Sequence, residues 1–141
     1  MDNRGQISAE YLLLIVVILI VLTSVTLPLV GTAINNSNDI SWSSDAKIAV
    51  QTIANAVNIV YANGPGSKQT NDVYIPQTMA LTNAGNSVVL TVTLSDGSTK
   101  TITGNTGYAL SATNIPLSRG WHTIQVYWPQ GTNAITITAI S

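Results

Sequence analysis

The sequence predicts an α+β protein in which a long N-terminal apolar helix precedes a C-terminal antiparallel β-sheet domain. Three observations carry this expectation. Tyr11 to Val30 is a run of twenty residues without a charge. Ala46, Ala49, Val50, Ile53, Ala56, Val57, Val60 and Tyr61 then recur at three- and four-residue spacing, the mark of a helix with one apolar face. From Asp72 onward the hydrophobic period falls to two, the repeat of half-buried strands.

Taken in order, the first helix is expected from about Ile7 to Val30. As a helix, the uncharged run reaches roughly 30 Å, about one bilayer core. Its apolar residues lie all round rather than on a stripe, which fits surroundings of lipid or of other helices. Pro28 removes one backbone hydrogen bond and is expected to kink or loosen the last turn. Gly31 to Asp39 is polar and rich in capping and helix-breaking types, so it reads as a loosened joint, or as continuous helix if neighbours pack against it. A second helix follows from about Ser41 to Ala62, with Ser43 or Ser44 as caps if it starts late. Its polar side carries Lys47, Gln51, Thr52, Asn55 and Asn58, and Asn63-Gly64-Pro65 ends it.

In the remainder, Val88, Leu90, Val92 and Leu94 alternate with Val89, Thr91 and Thr93. Ser95-Asp96-Gly97-Ser98 is a tight-turn signal, with Thr99 to Thr103 as the returning hairpin strand. Gly104 to Gly107 turns the chain into Tyr108 to Ser111. Ile124, Val126 and Trp128 share one face of a later strand, and Ile135, Ile137 and Ala139 share one face of the last. The expectation is an antiparallel meander of about five to seven strands with one face on the second helix.

Composition narrows function. Only 8% of the 141 residues are charged, against a usual quarter, so no basic patch offers a footing for nucleic acid. With no cysteine there is neither a disulfide nor a thiolate metal site. Catalysis has little to work with, and no enzyme, cofactor or metal is expected. His122 is the one histidine, placed at the start of a strand, and the acids Asp39, Asp45, Asp72 and Asp96 are scattered. Asp96 is explained by its turn, while Asp45 and Lys47 stand two residues apart, a spacing that does not pair on a helix. Trp42, Tyr61, Tyr74, Tyr108, Trp121, Tyr127 and Trp128 are expected to fill a small core or a subunit seam, with exposed contacts as the alternative.

The sharpest signal lies before the apolar run. Met1-Asp-Asn-Arg4-Gly5, followed by Gln6-x-Ser8-x-Glu10-Tyr11 and an apolar helix, resembles the class III signal peptide of archaeal type IV pilins, in the methanogen-like Gln-x-Ser-x-Glu subclass. The resemblance covers the first thirty or so residues closely and the rest only by architecture. It implies cleavage by a membrane-embedded prepilin peptidase between Gly5 and Gln6, with Gln6, Ser8 and Glu10 forming the processing and assembly motif. The division it implies is a leader at 1–5, a polymerisation and membrane helix at 6–34, a joint and amphipathic second part at 35–64, and a β domain at 65–141. Such leaders are usually more basic, and here Asp2 partly offsets Arg4; no basic residue follows the span until Lys47, which still favours the N-terminus inside.

By the same resemblance the chain is a structural pilin, a homopolymer built by assembly machinery into an extracellular adhesive filament after a stage in the cytoplasmic membrane. Glu10 gains a role in such a filament. An ionised carboxylate in an apolar core needs a partner, and the amine freed at Gln6 of a neighbouring subunit is the natural one. Cyclisation of Gln6 would leave hydrogen bonding alone, and service to the peptidase or the assembly platform is the other role open to Glu10. Asn35-Asn36-Ser37 is the only N-glycosylation sequon, modified if an exported chain presents it and unmodified if packed subunits shield it. Four rival readings stay open: a secretory signal peptide cut near Val30 to Ala33, an uncleaved anchor, an archaellin, and a monomeric surface or ligand-binding domain.

Overall fold

The computed structural model describes residues 3–140, and their side chains from Gly5 onward. Met1 and Asp2 of the expected leader, together with Ser141, lie outside the described residues. The chain falls into two compact units, residues 1–37 and residues 38–141.

Helix α1 runs from Asn3 to Asn63. The loosened joint expected at Gly31 to Asp39 is absent, because the helical segment continues through it without a break. Gly31 takes no positive φ, and no non-glycine residue does so. A glycine costs only about 1 kcal/mol in a helix interior, and propagating an existing helix avoids the cost of a second nucleus. The Thr32 hydroxyl also donates to the Pro28 carbonyl at 3.0 Å, so one polar side chain is spent within the helix instead of competing with it. The expected stop is correct. Gly64 adopts φ 86°, its N–H donates to the Val60 carbonyl at 3.1 Å, and the Ser67 hydroxyl lies 2.8 Å from the same oxygen.

Seven strands follow: β1 (Lys68–Ile75), β2 (Met79–Asn83), β3 (Ser87–Thr93), β4 (Thr99–Asn105), β5 (Asn114–Leu117), β6 (Gly120–Tyr127) and β7 (Thr136–Ala139). They form two antiparallel sheets in place of one meander. The first has the order β1-β6-β7 and the second β4-β3-β2-β5. The β3–β4 hairpin stands where the turn signal places it, in the register Leu90 opposite Ile102. Sequence spacing alone misses the long-range pairings, in which β1 meets β6 with Val73 opposite His122, and β2 meets β5 with Leu81 opposite Ile115. Tyr108 to Ser111 forms no strand, only a parallel bridge from Leu110 to Ile135.

Both sheets and the helix share one buried cluster. Ala46, Val50, Ile53, Val57 and Val60 of α1 meet Val88, Leu90 and Val92 of β3 and Ile124 and Val126 of β6. Period 3.6 on the helix and period 2 on the strands thus converge on the same dry interior. Ile135 and Ile137 are buried as their alternation requires, whereas Ala139 is exposed at the chain's end.

The hairpin tip is fastened to the helix. Asp39 accepts from the Ser95 backbone N–H at 2.8 Å with one carboxylate oxygen and from the Ser95 hydroxyl at 2.7 Å with the other. At the turn, the Asp96 carboxylate accepts from the Ser98 hydroxyl and backbone N–H, and these bonds hold its pKa below the ordinary carboxylate value.

Helix and sheet approach most closely at Gly104. A Cβ there would lie 2.6 Å from Val50 Cγ1 and 3.1 Å from both Ala54 Cβ and the Val50 carbonyl oxygen. Gly104→Ala should therefore destabilise the β domain by about 1–3 kcal/mol through overpacking, read as a lowered urea midpoint of the detergent-solubilised chain.

Candidate assembly and processing site

The first unit consists of the N-terminal part of α1, and nothing within it can bury an apolar side chain. Its large hydrophobics are exposed all round, from 44% at Ile15 to 68% at Tyr11. The helix is long and apolar enough to cross a membrane, and its most apolar window is entirely unburied. Each such Leu, Ile or Val costs about 1.5–3 kcal/mol when left in water rather than covered, so the segment requires lipid or protein around it.

One face of this segment is a trough lined by Val16, Leu19, Ile20, Thr23, Ser24, Leu27 and Pro28, residues that return at helical spacing. Its two hydroxyls place no unpaired donor in an apolar setting. Thr23 donates to the Leu19 carbonyl at 2.7 Å, and Ser24 donates to the Val21 carbonyl at 2.8 Å. Pro28 has no N–H for the Ser24 carbonyl four residues back, which leaves that carbonyl without its helical partner.

The residues of the expected motif stand at the beginning of this helix. Gly5, Gln6, Ser8 and Glu10 are all helical and all exposed. Gln6 and Glu10 are one turn apart and share a face, while Ser8 projects elsewhere. A Cβ on Gly5 would meet nothing within 4 Å, so the glycine is not demanded by local packing. Its effect is conformational: glycine in place of alanine weakens the first turns by about 1 kcal/mol and eases their opening.

The remaining sites singled out in the sequence lie elsewhere. Asn35 is exposed on an unbroken helix, where a sequon would ordinarily be expected in a loop. Val30 to Ala33 is helical too. His122 sits in β6 with Nε2 2.8 Å from the Ser118 carbonyl oxygen, a contact that braces the β5–β6 turn. Among the described residues, no group of three or more His, Cys, Asp or Glu side chains comes together.

Five of the aromatics form two groups, while Trp42 packs partly buried against the core and Tyr127 is exposed. Tyr61, Tyr108 and Trp128 stack at centroid distances of 4.8–5.8 Å, and the Trp128 indole N–H donates to the Thr132 carbonyl. Trp121 is 72% exposed and meets Tyr74 at 5.6 Å on the outside of the β1–β6 pair. Tyr74 also hydrogen-bonds Arg119 and holds its guanidinium pKa above the usual value.

A family model described as the class III signal peptide matches residues 3–28, which cover the motif and most of the exposed apolar helix. No curated protein and no solved structure matches the chain. The match supports a type IV pilin-like precursor and surface protein. Such a leader implies processing by a prepilin peptidase and entry into pilus assembly, and with the apolar helix it fits a precursor anchored in the membrane.

A charge in the middle of the trough should oppose membrane insertion. Leu19→Asp is expected to raise the apparent insertion free energy by about 3–4 kcal/mol, measured by glycosylation mapping in microsomes.

Proposed function

We propose that the chain is the structural subunit of an archaeal type IV-like adhesive pilus. The observation that carries this reading is the fully exposed apolar helix directly behind a class III leader. Prepilin peptidase cuts between Gly5 and Gln6, on the cytoplasmic side, and leaves the helix in the mature protein. Lipid covers the helix in the precursor; in the filament, copies of the same helix cover one another. Contacts of this kind run head to tail and do not close, so they generate a helical polymer rather than a ring. The β domain coats the filament and makes the contacts used in surface attachment and cell contact. Asn35, exposed on its helix, carries the N-glycan if one is added.

Glu10 is the charged group in this assembly. Its exposed carboxylate has the amine of a neighbour's Gln6 as its partner once lipid and water are gone. The competing function is a monomeric membrane-anchored or secreted ligand-binding domain, for which the helix would be only a tether or a discarded signal.

N-terminal sequencing of native material separates these readings. A start at Gln6 in sheared surface filaments supports the pilin, a start near Ile34 a secreted domain, and a start at Met1 an uncleaved anchor. For the pairing role, Glu10→Ala should leave cleavage intact and abolish filaments seen by electron microscopy. Normal filament numbers from that variant would remove Glu10 from the assembly step.

A further inference from the structure

The part of α1 that belongs to the second unit has two exposed flanks, one on either side of its buried face, and their chemistry is opposite. On one, Asp45 of the helix and Asp72 of β1 border a groove floored by Ile48 and walled by Tyr74 and Trp121. Ile48 is 60% exposed and Trp121 72% exposed, a costly display for a small domain unless something covers them. Asp72 accepts from the Thr123 hydroxyl at 2.7 Å with one carboxylate oxygen and Asp45 is half-buried, so among the described residues two carboxylates and no basic side chain line this groove. On the other flank, Lys47 of the helix and Lys100 of β4 border a second groove beside Ile40 and Leu94. The acid in that groove, Asp39, is already held by both bonds to Ser95, which leaves the two exposed lysines to set its character.

We infer that these flanks are complementary halves of a lateral interface between β domains, in which the Lys47 and Lys100 flank of one copy seats on the Asp45, Asp72 and Trp121 flank of the next. The inference rests on the pilin reading, which supplies copies in one orientation at high local concentration. Charge complementarity selects the occupant. A lysine head entering the acidic groove meets two carboxylates and the face of an exposed indole, a setting that combines ion pairing with cation–π attraction. Because the two flanks differ, the contact is heterologous and each copy keeps one of each kind free for the next. The helical residues of the acidic groove stand about six positions beyond those of the basic groove, so mated copies are offset by roughly 9 Å along the helix.

The chain contains no cysteine, so an introduced pair is the only thiol chemistry present. Ser43→Cys on the basic flank together with Ile48→Cys on the acidic flank, treated in intact filaments with a short bismaleimide, should yield a ladder of dimers, trimers and longer species. Either single variant should remain monomeric under the same treatment. Adding Asp45→Lys and Asp72→Lys should abolish the ladder, and further adding Lys47→Glu and Lys100→Glu should restore it.

Wild-type filaments without a ladder from the cysteine pair would overturn the interface and leave the pilin reading standing. A ladder indifferent to charge reversal would also overturn it. So would a lone Ile48→Cys that reacts freely with a bulky maleimide in filaments, which would assign the groove to an outside ligand. Absence of wild-type filaments would remove the pilin reading, and this interface with it.

Discussion

The structure turns on an apolar helical surface that the first unit has no means of covering by itself. In a self-contained domain, an amphipathic helix turns its apolar stripe inward, and folding is complete when the stripe is dry. Here the first unit is apolar on every side and has no sheet of its own to lie on. Its surface is consistent only with surroundings that are themselves apolar, and the hydroxyls of Thr23, Ser24 and Thr32 are already bonded back to the helix.

The second unit solves the opposite problem. With few charges and no cross-links, it is held by dispersion, ladder hydrogen bonds and a dry interior shared by one helix and two sheets. Gly104 shows how close the layers come, and the Ser95–Asp39 contact shows a polar loop being tied to the helix where no apolar contact is offered. A helix that spends one face on this interior still has two flanks, and these are where its few charges have been placed.

Much of this was legible in the residues because it is local. The all-round apolar run, the 3.6 period of Ala46 to Val60, the Gly64 stop and the Asp96–Gly97 turn each follow from the conformational preferences of a few neighbouring positions. The residues left Gly31 to Asp39 open between a joint and continuous helix, since capping types advertise a break that cooperative propagation overrides. The division into two sheets was not legible. The alternation in β1 and β6 marks them as strands but contains nothing that names the partner, and Val73 and His122 stand 49 positions apart. Of the motif residues, Gln6, Ser8 and Glu10 were visible as a pattern, whereas the opposed flanks depend on placing Asp45 beside Asp72 and Lys47 beside Lys100, which only the fold does.

The two groups of aromatic residues give the domain an optical property. Trp128 is shielded, stacked against tyrosines and bonded through its indole nitrogen, whereas Trp121 faces solvent. An indole in a dry setting emits at shorter wavelength than one in water, and Trp42, partly buried on the core, emits alongside both. With Trp42 replaced by Phe, the blue component follows the integrity of the fold, and the red component follows what comes to rest on its outer wall.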